Sequence, residues 1–493
     1  MNNIREKIKE NIVSLGQEIK NTHLSELNNP HGSIAEPIQS NLLTYDFSKQ
    51  KVNQRILDYL FEIPNLINLK ESLDSLFVGK IENPSENRAV SHTLYRSDSS
   101  TENFELIKLE RDRIKSFLEQ KNIIQSFKNL ICISIGGSRL GPELLYEFQA
   151  LDSPKNIYFC SSYDLLELKS ALLKCEQKDT VVFASSKSFE TSEILKNLDY
   201  VRSWFSQEPA IDQENHLYGI SANASAMTTY GIKDSNQFLL LDSLGGRFSL
   251  WSAISLPAFV NSNYGAYLDL LEGARLADEY TSKAPWESNI SVIMALLNIW
   301  NSNALNINNH GIFTYNYKLR SLTKYIGQLS MESNGKSKNF ESHTSPFYTT
   351  PLVWGGYGIE SQHSTFQWLM QGKTETSCDF IGINEDKETQ DSHEMLLSQV
   401  LAMTLGNQDK VNPYKTIRGN NPCSILQLDN LNLKSLGFLL ALYEHKVFIE
   451  GLILGIDSFD QWGVQLGKKI ALNAKSNKEY LKGFYSSHLL PKS

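Results

Sequence analysis

The stretch at residues 130–142, L-I-C-I-S-I-G-G-S-R-L-G-P, joins a continuous apolar run to a glycine-rich turn and ends on Pro142, a residue suited to opening a helix. A run that is apolar at every position has both faces buried, as in a parallel sheet covered on each side. Working outward, a helical pattern at 104–128 leads into it. Similar apolar runs recur at 157–160, 180–184, 217–220 and 238–241, with amphipathic helical patterns between them. This alternation predicts an α/β fold with a mainly parallel sheet flanked by helices. Helical patterns at 263–280 and 287–304 then precede a second α/β unit, with apolar runs at 312–317, 379–383 and 424–428 and helices from about 392, 433 and 459. Residues 1 to about 100 are polar and weakly periodic and read as short helices joined by loops. Within them, R-A-V-S-H-T-L-Y-R at 88–96 reads as a solvated face.

Ligands of parallel sheets sit beyond the carboxyl ends of the strands, so the loops there carry the chemistry. Gly136-Gly137-Ser138 lets backbone approach a ligand, but its spacing is not G-x-G-x-x-G, which disfavours a dinucleotide. Ser185-Ser186-Lys187-Ser188-Phe189-Glu190-Thr191 is hydroxyl-rich and immediately precedes a helix; free N–H groups there suit a phosphate monoester, although a plain helix cap uses the same residues. Gly245-Gly246-Arg247 puts an arginine in a turn.

Residues 328–336, Q-L-S-M-E-S-N-G-K, close a helix whose apolar stripe runs through Leu322, Tyr325, Ile326 and Leu329 and is continued by Glu332. A carboxylate aimed at a core is costly unless it is paired or put to use, so Glu332 is a candidate base, one turn after Gln328. Gly335-Lys336-Ser337 imitates the end of a P-loop, but Ser330 stands where that motif needs its first glycine, so a nucleotide is discounted. A glycine-rich loop at 355–358 leads to His363 at the start of an apolar helix. Ser458 with Gln461 has the spacing of a capping box, and Gln461 and Lys468 are expected to share one helix face. No His or Cys falls at metal-ligand spacing, so no metal site is expected.

The totals bound the class. A chain of 493 residues exceeds one ordinary core, and 41% hydrophobic with 21% charged residues is the balance of a globular protein. A net charge of −8 without a basic tract argues against nucleic acid, so an anionic substrate needs a local cluster of donors. Five widely spaced cysteines without C-x-x-C fit a reducing, cytoplasmic setting. The N-terminus lacks a signal-peptide core, and the apolar run at 436–456 is broken by Glu444, His445, Lys446 and Glu450, so no membrane span is expected.

Together and in this order, these motifs resemble the glucose-6-phosphate isomerase (phosphoglucose isomerase) family. The most specific parts are 331–336, Gln362-His363-Ser364 and 458–468, with L-Y-E-H-K at 442–446 in support. The resemblance implies two sugar-isomerase-type (SIS) subdomains, at 103–261 and 262–493, with a helical segment at 1–102 packing on the larger. It implies a homodimer that interconverts glucose 6-phosphate and fructose 6-phosphate without metal or other cofactor.

Carried over by motif, Ser138, Ser186, Ser188 and Thr191 would bind the phosphate with help from Lys187, and Glu332 would be the base, with Gln328 and Gln461 near the sugar. His363, supplied by the partner subunit, and Lys468 would open the pyranose ring, and Arg247 would face the developing negative charge. Two departures from the family pattern are Arg139, where Asp is usual, and Glu190, where a second Thr is common. Glu190 is expected to repel phosphate and Arg139 to offset it. The competing readings are a non-catalytic sugar-phosphate sensor and an isomerase for another phosphorylated sugar, such as mannose 6-phosphate.

Overall fold

In the computed structural model, five parallel strands lie in the spatial order Asn156–Cys160, Asn129–Ser134, Thr180–Ser185, Leu217–Ser221 and Gln237–Leu239. The structure describes residues 2–27, 36–97, 104–149, 154–385 and 387–476, together with 481 and 485. Strands Asn129–Ser134 and Thr180–Ser185 are buried at every position, as the apolar runs at 130–133 and 181–184 within them require. Helices Gly137–Gln149 and Ser192–Phe205 follow them directly. Pro142 does not open its helix but lies inside it: Gly136, at φ +61°, turns the chain earlier, and its carbonyl accepts from the backbone N–H groups of Arg139 and Leu140 at 3.0 and 2.9 Å.

The second sheet has six strands. Leu352–Tyr357, Asn309–Thr314, Ser377–Ile383 and Cys423–Leu428 run parallel in that order, and the sheet is completed by Leu43–Lys49 and then Ile38–Gln39, each antiparallel to the strand before it. Residues 1–102 are therefore not helical throughout. They carry the helices Asn2–Ile19, Gln54–Leu66 and Leu69–Phe77, but Leu43, Tyr45 and Phe47 alternate inward along a strand that joins the larger sheet. Likewise Gly355-Gly356-Tyr357 is the end of an edge strand rather than a loop, with Gly355 and Gly356 at φ +132° and +156°.

Helix Leu433–Leu454 is apolar on nearly all sides and almost wholly buried, and it packs along Tyr264–Lys283 and Ile290–Asn303. Its backbone touches that of Tyr264–Lys283 at two glycines: a Cβ on Gly437 would meet the Leu270 carbonyl oxygen at 2.1 Å, and one on Gly273 the Lys434 carbonyl oxygen at 1.8 Å.

Arg88–Arg96 is not a solvated face, since His92 and Arg96 are buried. The Arg96 guanidinium forms ion pairs with Asp278 at 2.8 Å and Glu444 at 2.5 Å and lies 4.6 Å from the centre of the Trp251 ring. Trp251 donates to Glu444 at 2.8 Å, and His445 meets Asp278 at 2.7 Å and Thr281 at 2.9 Å. Buried charges persist when so fully paired, and this cluster joins the N-terminal segment to three distant elements. No helix among the described residues is long and apolar enough to cross a membrane.

Candidate active site

The site grows from adjacent strand ends. Ser134 and Ser185 are in register on neighbouring parallel strands, so the turn at Ile135-Gly136 with the first turn of helix Gly137–Gln149, and the loop at 186–191, leave the sheet side by side. Gly137 then presses against the arginine turn: a Cβ there would lie 2.2 Å from the Gly246 carbonyl oxygen and 2.5 Å from the Arg247 nitrogen. A Cβ on Gly136 would lie 3.2 Å from the Gln328 amide nitrogen. The two glycines thus bring the start of the helix that carries Ser138 against both Arg247 and the helix Leu322–Asn334.

On that helix Leu322, Tyr325, Ile326 and Leu329 are buried, and Glu332 follows on the same stripe with its side chain 24% exposed. Arg247, 3% exposed, faces it with Nη1 3.7 Å from Glu332 Oε2. Its remaining donors are all engaged: Nε donates to Ser333 Oγ at 2.6 Å, Nη1 to Gln461 Oε1 at 2.7 Å, and Nη2 to the carbonyls of Ser458 at 2.5 Å and Asp460 at 3.1 Å. Burial pulls the guanidinium down to about 10, with Glu332 and Asp460 opposing, so it stays charged at neutral pH. A fixed, fully hydrogen-bonded cation thus stands beside a part-exposed carboxylate at the wall of a cavity of about 710 Å³, whose lining includes Glu332, Gln461 and Lys336. Gln328 Oε1 is buried and has no hydrogen-bond partner among the described residues.

In the hydroxyl-rich loop, the Ser186 and Thr191 hydroxyls meet at 2.8 Å. Thr191 stands at the N-cap of Ser192–Phe205 but makes no capping hydrogen bond, so its side chain is turned to the loop and not to the helix end. Buried Phe189, at φ +55°, anchors the loop, while Ser188 Oγ accepts from the Glu190 N–H at 3.2 Å. Lys187 pairs with Asp242 at 3.3 Å, and burial followed by nearby Arg88 lowers its ammonium below the usual lysine range.

Arg139 does not offset Glu190. Its guanidinium is taken by Glu143 at 3.1 Å, Glu167 at 2.9 Å and the Ser161 hydroxyl at 2.6 Å, while Glu190 is exposed.

His363 and Lys468 are not among the residues that line this cavity. His363 is exposed just after the short helix Gly358–Gln362, whose Gln362 side chain is held by Gln399. Lys468 is exposed on helix Gln465–Ser476. Gln461 precedes that helix with φ −155° and does not share its face with Lys468. No capping box forms at Ser458, because its hydroxyl donates to Asn334 Oδ1 at 2.7 Å.

Sequence reasoning missed Ser333, which holds Arg247, and Asp460 and Lys336, which pair at 2.8 Å. The available signal was their place in the chain, Ser333 and Lys336 one and four positions after Glu332 and Asp460 next to Gln461.

With this geometry in view, the phosphoglucose isomerase family model matches residues 46–487. The chain is 35% identical to a glucose-6-phosphate isomerase of Pseudoalteromonas translucida over 474 residues, covering 87% of this chain and 86% of the relative. It is 37% identical over 473 residues to that of Acinetobacter baumannii strain AYE, covering 87% and 85%. The crystal structure of a glucose-6-phosphate isomerase from Chlamydia trachomatis superposes with a TM-score of 0.87 at 30% identity, covering 95% of each chain. This chain belongs to the phosphoglucose isomerase family.

Proposed function

We propose that this enzyme interconverts D-glucose 6-phosphate and D-fructose 6-phosphate by ring opening and base-catalysed proton transfer through a cis-enediolate. The observation that carries this reading is the buried Arg247 guanidinium 3.7 Å from Glu332, hydrogen-bonded to Gln461. Aldose–ketose exchange needs one base to take the C2 proton and return it to C1, which a single carboxylate such as Glu332 can do. The enediolate formed between the two steps needs a cation already in place, the part assigned to Arg247. Gln328, with an unsatisfied buried amide oxygen, and Gln461 are suited to the sugar hydroxyls.

Ser138, Ser186, Ser188 and Thr191, aided by Lys187, take the phosphate at the strand ends of the 103–261 subdomain, while residues 262–493 carry the base. His363 and Lys468 shuttle protons between O5 and O1 to open the ring, His363 reaching the site from the other copy of a homodimer. Both are exposed and so accessible for such roles. Every step is assigned to protein side chains, and none requires a metal or cofactor. A sensor needs only sugar and phosphate contacts, so the presence of Glu332, Arg247, His363 and Lys468 together favours an enzyme.

The test is release of glucose 6-phosphate from fructose 6-phosphate, read through a coupled dehydrogenase, with and without EDTA. The expected outcome is EDTA-insensitive turnover that falls by at least ~10²-fold in Glu332→Gln while sugar phosphate still binds. Near-normal turnover in Glu332→Gln refutes the base assignment, and bound sugar phosphate without turnover in wild type favours the sensor.

A further inference from the structure

The segment at 457–461 has no regular secondary structure of its own, yet it carries Gln461 against Arg247. Two cations hold it. Arg247 takes the Ser458 and Asp460 carbonyls and the Gln461 amide oxygen. Lys336 takes the Asp457 carbonyl and, at 2.8 Å, the Asp460 carboxylate. Asp460 is 7% exposed, and its other carboxylate oxygen accepts from Ser85 Oγ at 2.5 Å. Lys336 leaves the end of the very helix that bears Glu332, directly after its C-cap Gly335.

The chemistry of Gln461 follows from this clamp. Arginine can only donate, so the Gln461 amide must turn its oxygen to Arg247, leaving its nitrogen as the donor available to the cavity that Gln461 lines. That orientation holds only while 457–461 keeps its height relative to the Glu332 helix; Lys336 spans the two, together with Arg247 through Ser333 and with the Ser458 hydroxyl on Asn334.

We propose that Lys336 is a positioning residue: through Asp460 and the Asp457 carbonyl it fixes the Gln461 amide beside Glu332 and Arg247, so that its N–H groups meet a substrate oxygen. This rests on the isomerase reading of the same site. Displacement by about 1 Å of a group that orients substrate can cost up to about 100-fold, so the expected loss is in kcat more than in KM.

The experiment is a double-variant cycle on fructose 6-phosphate with Lys336→Met, Gln461→Ala and their combination. Lys336→Met is expected to lower kcat by about 10- to 100-fold, with KM changed less. In the Gln461→Ala background the same change should add less than twofold, and Lys336→Arg, which keeps the ion pair, should recover most of the lost kcat. Lys336→Met within twofold of wild type, or losses that multiply in the double variant, overturns the role. If Lys336→Met does not fold, Asp460→Asn takes its place in the cycle and must show the same non-additivity for the proposal to stand. Wild type without turnover overturns the isomerase reading itself and this role with it, an outcome distinct from a normal Lys336→Met enzyme.

Discussion

Replacement of Arg247 by lysine keeps the charge and removes the geometry. The guanidinium spans Ser333 Oγ on one side and Gln461 Oε1, the Ser458 carbonyl and the Asp460 carbonyl on the other. An ammonium presents three donors from one point and cannot reach both sides, so at least one of these four acceptors loses its partner. At about 1–3 kcal/mol for each buried acceptor left unsatisfied, Arg247→Lys is expected to destabilise the fold by at least about 1–3 kcal/mol. In the reaction, displacing the fixed cation from the developing enediolate charge removes preorganised electrostatic stabilisation, with an expected loss on the order of 10²-fold in kcat. Urea unfolding at pH 7 reads the first quantity, and the coupled assay on fructose 6-phosphate reads the second under conditions where the variant is folded. A variant with the wild-type urea midpoint and kcat within threefold of wild type would refute the reasoning, because it would mean that the guanidinium fork is not what holds this site together.

Gly137→Ala introduces a Cβ 2.2 Å from the Gly246 carbonyl, backbone that cannot swing away; the expected result is at least a tenfold loss of kcat/KM, on the order of the cost of a small misplacement of the site, and a wild-type enzyme would remove Gly137 from the account of the Arg247 turn. In the homodimer proposed above, mixing Glu332→Gln with His363→Ala subunits should restore activity, because a mixed pair would have one site with both groups intact; no recovery after subunit exchange would place His363 in its own chain's site. Glu110 is buried, and burial pushes its carboxyl up to about 8, against the Ala253 N–H that favours the anion. A raised acid contributes stability that is full below the unfolded value of 4.5 and is lost as pH rises toward about 8, so Glu110→Gln should flatten the fall in urea midpoint between pH 5 and 8; an unchanged slope counts against it.

What the sequence made legible follows from the range of the interactions involved. The five strands at 129–239 were readable because continuous apolar runs report burial locally, and Glu332 because a carboxylate on an apolar stripe is anomalous within a single helix. Arg96 was unreadable for the opposite reason: Asp278 and Glu444, which make its burial tolerable, stand 182 and 348 positions away. The capping box at Ser458 failed in the same way, since a hydroxyl expected to serve its own helix is claimed by Asn334, 124 positions distant. Leu43–Lys49 did carry its signal, the alternation of Leu43, Tyr45 and Phe47, but among polar neighbours and without a turn dipeptide that pattern is weak. The edge strand Leu352–Tyr357 was hidden by its two glycines, which are rare in strands and common in loops.

The strand Leu43–Lys49 also sets a timetable for synthesis. Tyr45 and Ser424, joined by a side-chain hydrogen bond across the sheet, are 379 positions apart. At roughly 5–20 residues per second, the ribosome makes the second about 20–75 s after the first. For that interval Leu43, Tyr45 and Phe47 form a short apolar ribbon with no sheet to join, on a nascent chain whose five-stranded unit, ending at Leu239, is synthesised only about halfway through it. Closure of the larger sheet is thus a late, long-range event, and the chain is exposed to chaperones and to wrong strand partners until its end is released.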